Sequence, residues 1–126
     1  MSRGLLLFAH GARDPNWALP FEQVAARIGR QAPQIAVQLA FLEFMQPDLA
    51  TAGRRLADAG CAAVDVVPLF LGAGGHVRKD LPELLERLAS QFPQVRWLLR
   101  PAIGEADSVI DAMAQAALAT MEQSPP

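Results

Sequence analysis

Four strongly apolar runs alternate with four amphipathic stretches along this chain, and that alternation limits the folds it can adopt. The runs cover residues 4–9, 35–42, 63–71 and 95–100. The first and third are almost continuously apolar, which is typical of central parallel strands covered on both faces. The second and fourth contain more polar positions, which suits strands at the edges of a sheet.

The stretches between the runs carry apolar residues at helical spacing. The second predicted helix opens with Pro47, which suits a first helical turn, and stops at Gly60. Asp80 and Glu83 form a capping-box-like pair at the start of the third helix. The fourth helix is predicted over about residues 106–121. The apolar face of the first helix contains Phe21, Val24, Ala25 and Ile28.

Strands that alternate with helices in this way form a parallel sheet with right-handed crossovers and helices on both faces. We therefore predict an α/β, flavodoxin-like three-layer sandwich with a four-stranded parallel sheet of strand order 2-1-3-4. Residues 1–122 would form a single domain, and residues 123–126 a frayed tail. Strands 1 and 3 are neighbours in this order, and the topological switch point, where such folds bind ligands, lies between them.

Composition excludes several classes of function. The formal net charge is -2 with no basic run, which argues against nucleic acid or an anionic membrane surface as a partner. Cys61 is the only cysteine, so a disulfide framework is not expected. No signal peptide and no membrane helix of about 20 apolar residues is predicted, which favours the cytoplasm. The hydrophobic content of 52% favours a buried interface between subunits.

His10 and His76 are the only histidines, and each lies just past the end of a central apolar run. Parallel strands would place both imidazoles at the carboxyl edge of one sheet, beside the ligand-binding crevice. Neutral imidazole is the commonest protein ligand for a transition metal and also carries protons near neutral pH. Gly11 would let the chain turn sharply beside His10. The alternative is a histidine that only caps a strand end.

Glu43 follows the second apolar run directly, at the same predicted edge of the sheet. With the two histidines it would form a His/His/Glu set that suits Fe(II), Co(II), Ni(II) or Zn(II) and leaves positions open for a substrate. The alternative is a solvated loop carboxylate. Large apolar residues nearby are interpreted first as core packing and second as a wall of the site: Trp17, Phe41, Phe44, Met45 and Phe70.

A glycine-rich turn and three cations surround the same predicted mouth. Gly74 and Gly75 precede His76 and would form a mobile rim that admits a large ligand, although a flexible loop is the simpler interpretation. The turn has neither the P-loop ending nor the dinucleotide-binding spacing. Arg13, Arg78 and Lys79 could bind an acidic substrate, since arginine pairs with carboxylates through a planar fork and lysine as a point charge. The alternative for Arg78 and Lys79 is that they simply face solvent before a helix, which is the commoner case for each residue taken singly.

Three motifs carry a resemblance to a known family: residues 10–14 (HGARD), 40–47 (AFLEFMQP) and 67–82 (VPLFLGAGGHVRKDLP). The chain resembles the class II tetrapyrrole chelatases, specifically the small cobaltochelatases and ferrochelatases that act on sirohydrochlorin. The third motif is the most specific of the three. Ala12 departs from the pattern because the family usually has serine there, which removes a hydroxyl and no ligand.

The resemblance implies a chelatase-like fold and insertion of Co(II) or Fe(II) into sirohydrochlorin, on the way to cobalamin or siroheme, without an organic cofactor. It also implies that His10 and His76 bind the metal and that Glu43 assists as an acid, so that these three residues are catalytic. A single-domain chain of this kind pairs into a homodimer.

Two other functions remain open at this point. Histidine phosphatases also place a His-Gly pair after a first strand, but they need an arginine immediately before that histidine, where this chain has Ala9. A non-catalytic carrier of metal or tetrapyrrole would use the same residues without turnover. The identity of the physiological metal (Co, Fe or Ni) and of the pathway does not follow from these residues, because such a ligand set accepts most divalent first-row ions.

Overall fold

A computed structural model describes residues 2–72 and 74–123, without the side chains of residues 75–78. All strand pairs are parallel, and the sheet order is β2-β1-β3-β4. The α/β class and the predicted strand order are therefore confirmed. The strands are β1 (Ser2–Ala9), β2 (Ala36–Phe41), β3 (Cys61–Pro68) and β4 (Arg96–Leu99).

Four α-helices connect or follow the strands. None of the described helices is long and apolar enough to cross a membrane. Short 3₁₀ turns at Pro15–Ala18 and Ile103–Glu105 precede the first and last helices. The helices are α1 (Leu19–Gln31), α2 (Leu49–Asp58), α3 (Gly75–Gln91) and α4 (Asp107–Gln123).

The main core lies between the sheet and the pair α2 and α3. Side chains alternate between the two faces of a strand, so β1 and β3 each send every second residue to this side. Leu6, Phe8, Val64 and Val66 are almost completely buried there against Leu56 of α2 and Leu88 of α3. The opposite faces of β1 and β3 are also largely apolar. This explains why the sequence of each central strand is almost continuously apolar.

The opposite face of the sheet is only partly covered. Helix α1 packs near β2, where Ala9, Ala18 and Phe41 form a second, smaller core cluster. Beside α1 an apolar groove of about 590 Å³ remains over β1 and β3. Every residue of α4 from Ile110 onward is exposed, so this helix does not complete the layer. The groove is lined chiefly by Leu5, Leu7, Phe21, Val24, Ile28 and Val67.

Helix α2 begins later than the sequence pattern predicts. Pro47 lies outside it, and the N-cap is Asp48, whose Oδ1 accepts a hydrogen bond of 2.9 Å from the Thr51 N–H. The aspartate side chain satisfies one of the backbone N–H groups that the first turn of a helix leaves without an intrahelical partner. The prediction that the helix opens with Pro47 is therefore wrong by two residues.

Helix α3 begins earlier than predicted, at Gly75 and not near Asp80. Gly74 is its N-cap in an extended conformation, and Pro82 lies inside the helix. Glycine has a low helix propensity, so the pattern suggests a loop where tertiary context extends the helix. The capping-box interpretation of Asp80 is wrong for this reason. At the other terminus Gln123, expected in the frayed tail, ends α4, and residues 124–126 lie outside the described part.

Candidate functional site

The carboxyl edge of the sheet brings His10 and Glu43 together. His10 directly follows β1, and Glu43 lies two residues beyond β2. The parallel ladder continues past both strands, because the Leu42 N–H donates to the Ala9 carbonyl at 2.9 Å and the Glu43 N–H donates to the His10 carbonyl at 3.1 Å. The backbones of these two predicted site residues are thus hydrogen-bonded to each other.

The side chains of His10 and Glu43 form a direct polar pair. The imidazole Nε2 lies 3.0 Å from the carboxylate Oε1, and about half of each side chain is exposed, 48% and 49%. A carboxylate in this position fixes the tautomer and orientation of an imidazole, as it does beside many metal-bound histidines. The exposure leaves room for a metal ion or substrate to approach.

Gly11 makes this close arrangement possible. Its φ of +94° lies in the left-handed region that favours glycine. A β-carbon at this position would overlap the carbonyl oxygen of Glu43. The turn off β1 and the approach of the Glu43 loop therefore both require glycine here, as the sequence suggested for the turn alone.

Phe70 supports the imidazole from the core side. Its ring centroid lies 6.2 Å from that of His10 in an edge-on arrangement, and 6.3 Å from that of Phe8. Phe70 is buried in the main core, so the histidine is backed by a fixed apolar surface.

Phe44 is the residue near this pair that the sequence pattern misplaced. Core packing was the first interpretation for it, yet 58% of its surface is exposed. Its φ is +67°, which is unusual for a bulky residue. The Arg13 guanidinium carbon lies 5.0 Å from the centroid of its ring, within cation–π range. No sequence signal identifies such a backbone conformation at a phenylalanine.

The other members of the predicted apolar wall do pack in the core. Phe70 belongs to the main cluster. Phe41 is buried in the second cluster, and Trp17 and Met45 pack against it. The core interpretation therefore holds for four of the five residues, and Phe44 is the exception.

The remaining predicted site residues lie at the start of α3. Gly74 is the N-cap and Lys79 is exposed. His76 is the second residue of the helix, following Gly75, but the side chains of His76 and Arg78 lie outside the described part of the structure. Among the described side chains, no group of three His, Cys, Asp or Glu residues is placed to hold a metal ion. His10 and Glu43 supply two of the three predicted members.

Comparison with known proteins identifies a family that this chain matches over most of its length. The CbiX family profile matches residues 4–120. A sirohydrochlorin cobaltochelatase from Sulfurisphaera tokodaii is 34% identical over 68% of this chain and 69% of its own length. A sirohydrochlorin ferrochelatase from Bacillus subtilis is 29% identical over 90% of this chain, which spans 43% of that protein. The crystal structure of a CbiX protein from Marinobacter aquaeolei VT8 matches with a TM-score of 0.85 and 33% identity, over 97% of this chain and 99% of that one.

Proposed function

This chain belongs to the CbiX family, and on that premise we propose that it inserts a divalent metal ion into sirohydrochlorin. The observation that carries the proposal is the His10–Glu43 pair, with 3.0 Å between Nε2 and Oε1, at the sheet edge where α/β folds bind ligands. Its relatives named sirohydrochlorin cobaltochelatase and ferrochelatase supply the reaction. The chain is therefore proposed to be an enzyme of the lyase class.

Metal insertion makes three demands, and these residues serve two of them, the desolvation of the ion and the removal of the pyrrole protons. The ion must lose water, the macrocycle must expose a nitrogen lone pair to it, and two pyrrole protons must leave. We assign His10 to hold the incoming ion, with His76 as the second imidazole, since neutral imidazole binds first-row ions well. Glu43 offsets the charge of the ion, and once the ion has moved to the macrocycle, Glu43 and the freed imidazole each accept one of the two pyrrole protons. No organic cofactor takes part in these steps.

Co(II) and Fe(II) are the proposed metal substrates. Two imidazoles and one carboxylate accept either ion, and the named relatives include both a cobaltochelatase and a ferrochelatase. The product then belongs to the cobalamin or the siroheme route according to which ion is supplied. Rates measured with each ion alone and in competition would rank the two.

Cations at the mouth are proposed to bind the carboxylates of sirohydrochlorin. Arg13 lies within cation–π distance of Phe44, the residue after Glu43, and Lys79 is exposed on α3. Arg78 and the backbone at Gly74 and Gly75 belong to the same proposed surface. Arginine offers the planar fork that carboxylates prefer.

We further propose that the chain works as a homodimer in the cytoplasm. The apolar groove over β1 and β3 lacks a covering helix, while α4 exposes Ile110, Met113 and Met121 on one side. A second copy of α4 is the occupant that fits, because α4 carries acidic residues and no basic ones whereas Arg3 and Arg100 share a single carboxylate, Asp65, at the sheet.

If each chain docks its α4 into the groove of the other, the surface area buried by this exchange suits a specific dimer. A 17-residue helix is about 25 Å long and 10 Å wide, so each docked helix covers about 250 Å² on each of the two surfaces. Two-fold symmetry repeats the contact, which brings the total to about 1,000 Å², where specific interfaces begin. The free, buried Cys61 is compatible with a reducing compartment.

The test is anaerobic titration of sirohydrochlorin with Co(II) or Fe(II) in the presence of the protein, followed by the absorbance change. His10→Ala and Glu43→Gln should each lower the insertion rate by about 100-fold, the lower range for a positioned acid–base group. Glu22→Gln removes an exposed carboxylate on α1 and should leave the rate unchanged.

Two results would contradict the chelatase proposal. Near-normal insertion rates for His10→Ala would show that the His10 imidazole takes no part in the reaction. A wild-type protein that binds metal and macrocycle but does not exceed the uncatalysed rate would be a carrier. Hydrolysis of a phosphate ester in EDTA would instead indicate the phosphatase-like alternative, which no observation on the structure or the relatives favours.

A further inference from the structure

Phe44 is a large aromatic residue that the fold holds in solvent next to the His10–Glu43 pair. More than half of its surface, 58%, is exposed, although buried aromatic rings contribute strongly to a core. Four other large apolar residues of the same region pack inward. The exposure of Phe44 is therefore a local exception that calls for a physical explanation.

The backbone at Phe44 adopts a conformation that disfavours phenylalanine. Its φ is +67°, where the β-carbon of an L-residue meets the neighbouring carbonyl. The Met45 N–H donates to the Glu43 carbonyl at 2.8 Å, which closes a tight three-residue turn around Phe44; the form with positive φ is rare and strained. Glycine or asparagine would suit this turn better. Strained residues of this kind cluster at functional sites.

The surrounding loop fixes the turn in place. The Phe41 N–H donates to the Pro47 carbonyl at 2.9 Å, and the Glu43 N–H donates to the His10 carbonyl at 3.1 Å. Gly11 lies against the Glu43 carbonyl so closely that no β-carbon fits between them. The start of the turn and the loop that follows it are thus tied to the sheet edge, and the ring of Phe44 projects outward beside the site.

Arg13 gives the ring a charged partner. Its guanidinium carbon lies 5.0 Å from the ring centroid, and Phe44 remains 58% exposed with Arg13 beside it. The ring therefore keeps surface that a ligand can reach, while the adjacent guanidinium can form a planar pair with a carboxylate. An aromatic surface edged by such a cation suits a flat conjugated ligand that carries carboxylates.

We propose that Phe44 and Arg13 together form a platform that holds the tetrapyrrole over the His10–Glu43 pair, the ring of Phe44 stacking on the macrocycle and Arg13 pairing with a peripheral carboxylate. This inference rests on the proposed function and extends it to two binding residues. The platform explains why a strained turn retains phenylalanine: the ring contacts the ligand, and the turn fixes where that contact is made.

The test is titration of metal-free sirohydrochlorin into the protein, followed by the absorbance of the macrocycle. Phe44→Leu keeps an apolar side chain without an aromatic face, and it should weaken binding about tenfold, the range for loss of one stacking contact. Phe44→Tyr keeps the ring and should bind within about twofold of wild type. Co(II) binding without the macrocycle should be the same in all three proteins.

Phe44→Gly separates the ring from the turn. Glycine relieves the positive φ, so this variant should fold at least as well as wild type and still bind sirohydrochlorin about tenfold more weakly. Arg13→Gln should weaken binding severalfold and reduce its salt dependence. Arg30→Gln, a matched change in the last turn of α1, should alter neither. Wild-type affinity in both Phe44→Leu and Phe44→Gly would overturn the platform.

Failure of the platform and failure of the proposed function give different results. If Phe44→Gly binds sirohydrochlorin and inserts metal as well as wild type does, the protein is a chelatase without this platform. A wild-type protein that binds sirohydrochlorin through Phe44 but never metallates it keeps the platform and loses the chelatase function. Absence of any sirohydrochlorin binding by wild type overturns both.

Discussion

At the scale of single residues, Gly11 shows how the site depends on one missing β-carbon. Its positive φ and its contact with the Glu43 carbonyl exclude any larger residue by two separate constraints. The residues on both sides of this contact, His10 and Glu43, are the ones whose side chains meet. A change at Gly11 therefore affects folding and the polar pair together.

Gly11→Ala should lower the free energy of unfolding by about 2–4 kcal/mol, because a left-handed alanine and a displaced Glu43 loop both cost free energy. Gly29→Ala is the control: Gly29 lies in α1 with open space around its α-carbon. That change should raise the free energy of unfolding by about 0.5–1 kcal/mol, since alanine favours helix. Urea denaturation measures both values, and equal effects would contradict the steric argument.

The sequence could predict the positions of His10 and Glu43 but not the conformation around them. Each residue follows an apolar run, and parallel strands bring their carboxyl ends to one edge. Phe44 could not be placed in this way, because its exposure follows from a turn closed by backbone hydrogen bonds that involve no characteristic side chain. A hydrophobic pattern alone assigns such a residue to the core.

At the scale of elements, the strands were easier to predict than the ends of the helices. All four apolar runs became strands, because long buried runs leave few alternatives. The starts of α2 and α3 differ from prediction by two and about five residues. The sequence signals, Pro47 and the Asp80–Glu83 pair, predict starts that differ from the observed N-caps, which are Asp48 for α2 and Gly74 for α3. Helix ends depend on individual hydrogen bonds that periodicity does not encode.

The Asp48 cap of α2 should make stability depend on pH in the acid range. Hydrogen bonds from Thr51 lower the pKa of Asp48 below its ordinary value of 3.8. A lowered folded pKa means that this stabilisation is fully present above about pH 4. It is lost as the pH falls through the folded pKa. Because the carboxylate is exposed, the charge contributes only about a few tenths of a kcal/mol.

Two substitutions separate the cap from its charge. Asp48→Asn keeps a good N-cap and removes the titration, so it should match wild type near pH 7 and lose less stability below pH 4. Asp48→Ala removes the cap and should cost about 1 kcal/mol at every pH. Chemical denaturation from pH 7 to pH 3 compares them. Parallel pH profiles for wild type and Asp48→Asn would refute the role of the carboxylate.

At the scale of the whole molecule, the two faces of the sheet are covered unequally. Helices α2 and α3 bury one face, while α1 covers only part of the other and leaves the apolar groove beside it. Helix α4 starts next to this groove, since Val109 lines it, and then runs on fully exposed. The predicted third layer is therefore incomplete in one copy of the chain.

Met113→Asp should convert a dimer into a monomer, because Met113 lies on the apolar side of α4 that the proposed partner groove receives. Gln115→Asp adds the same charge about 200° around the helix and should leave the dimer intact. Light scattering after size-exclusion chromatography measures the mass of each. A wild-type monomer, or a dimer unaffected by Met113→Asp, would contradict the exchange.

A cysteine pair distinguishes exchange between copies from closure within one copy. With Val24→Cys on α1 and Met113→Cys on α4, oxidation should link two chains, which run as a dimer on a denaturing gel. Geometry suitable for a disulfide needs α-carbons about 4.4–6.8 Å apart, so the bond reports direct docking. A bond formed only within single chains would place α4 in its own groove.

The uncovered groove should make the stability of this protein depend on its concentration. In the proposed dimer the last helix of each chain completes its neighbour, so the pair is stabilised by mass action and its melting temperature should rise with protein concentration. Specific activity should fall on dilution below the dissociation constant of the pair. A cell that makes few copies would then hold a less stable, more protease-sensitive pool, and the amount of chain synthesised would itself regulate how much working catalyst exists.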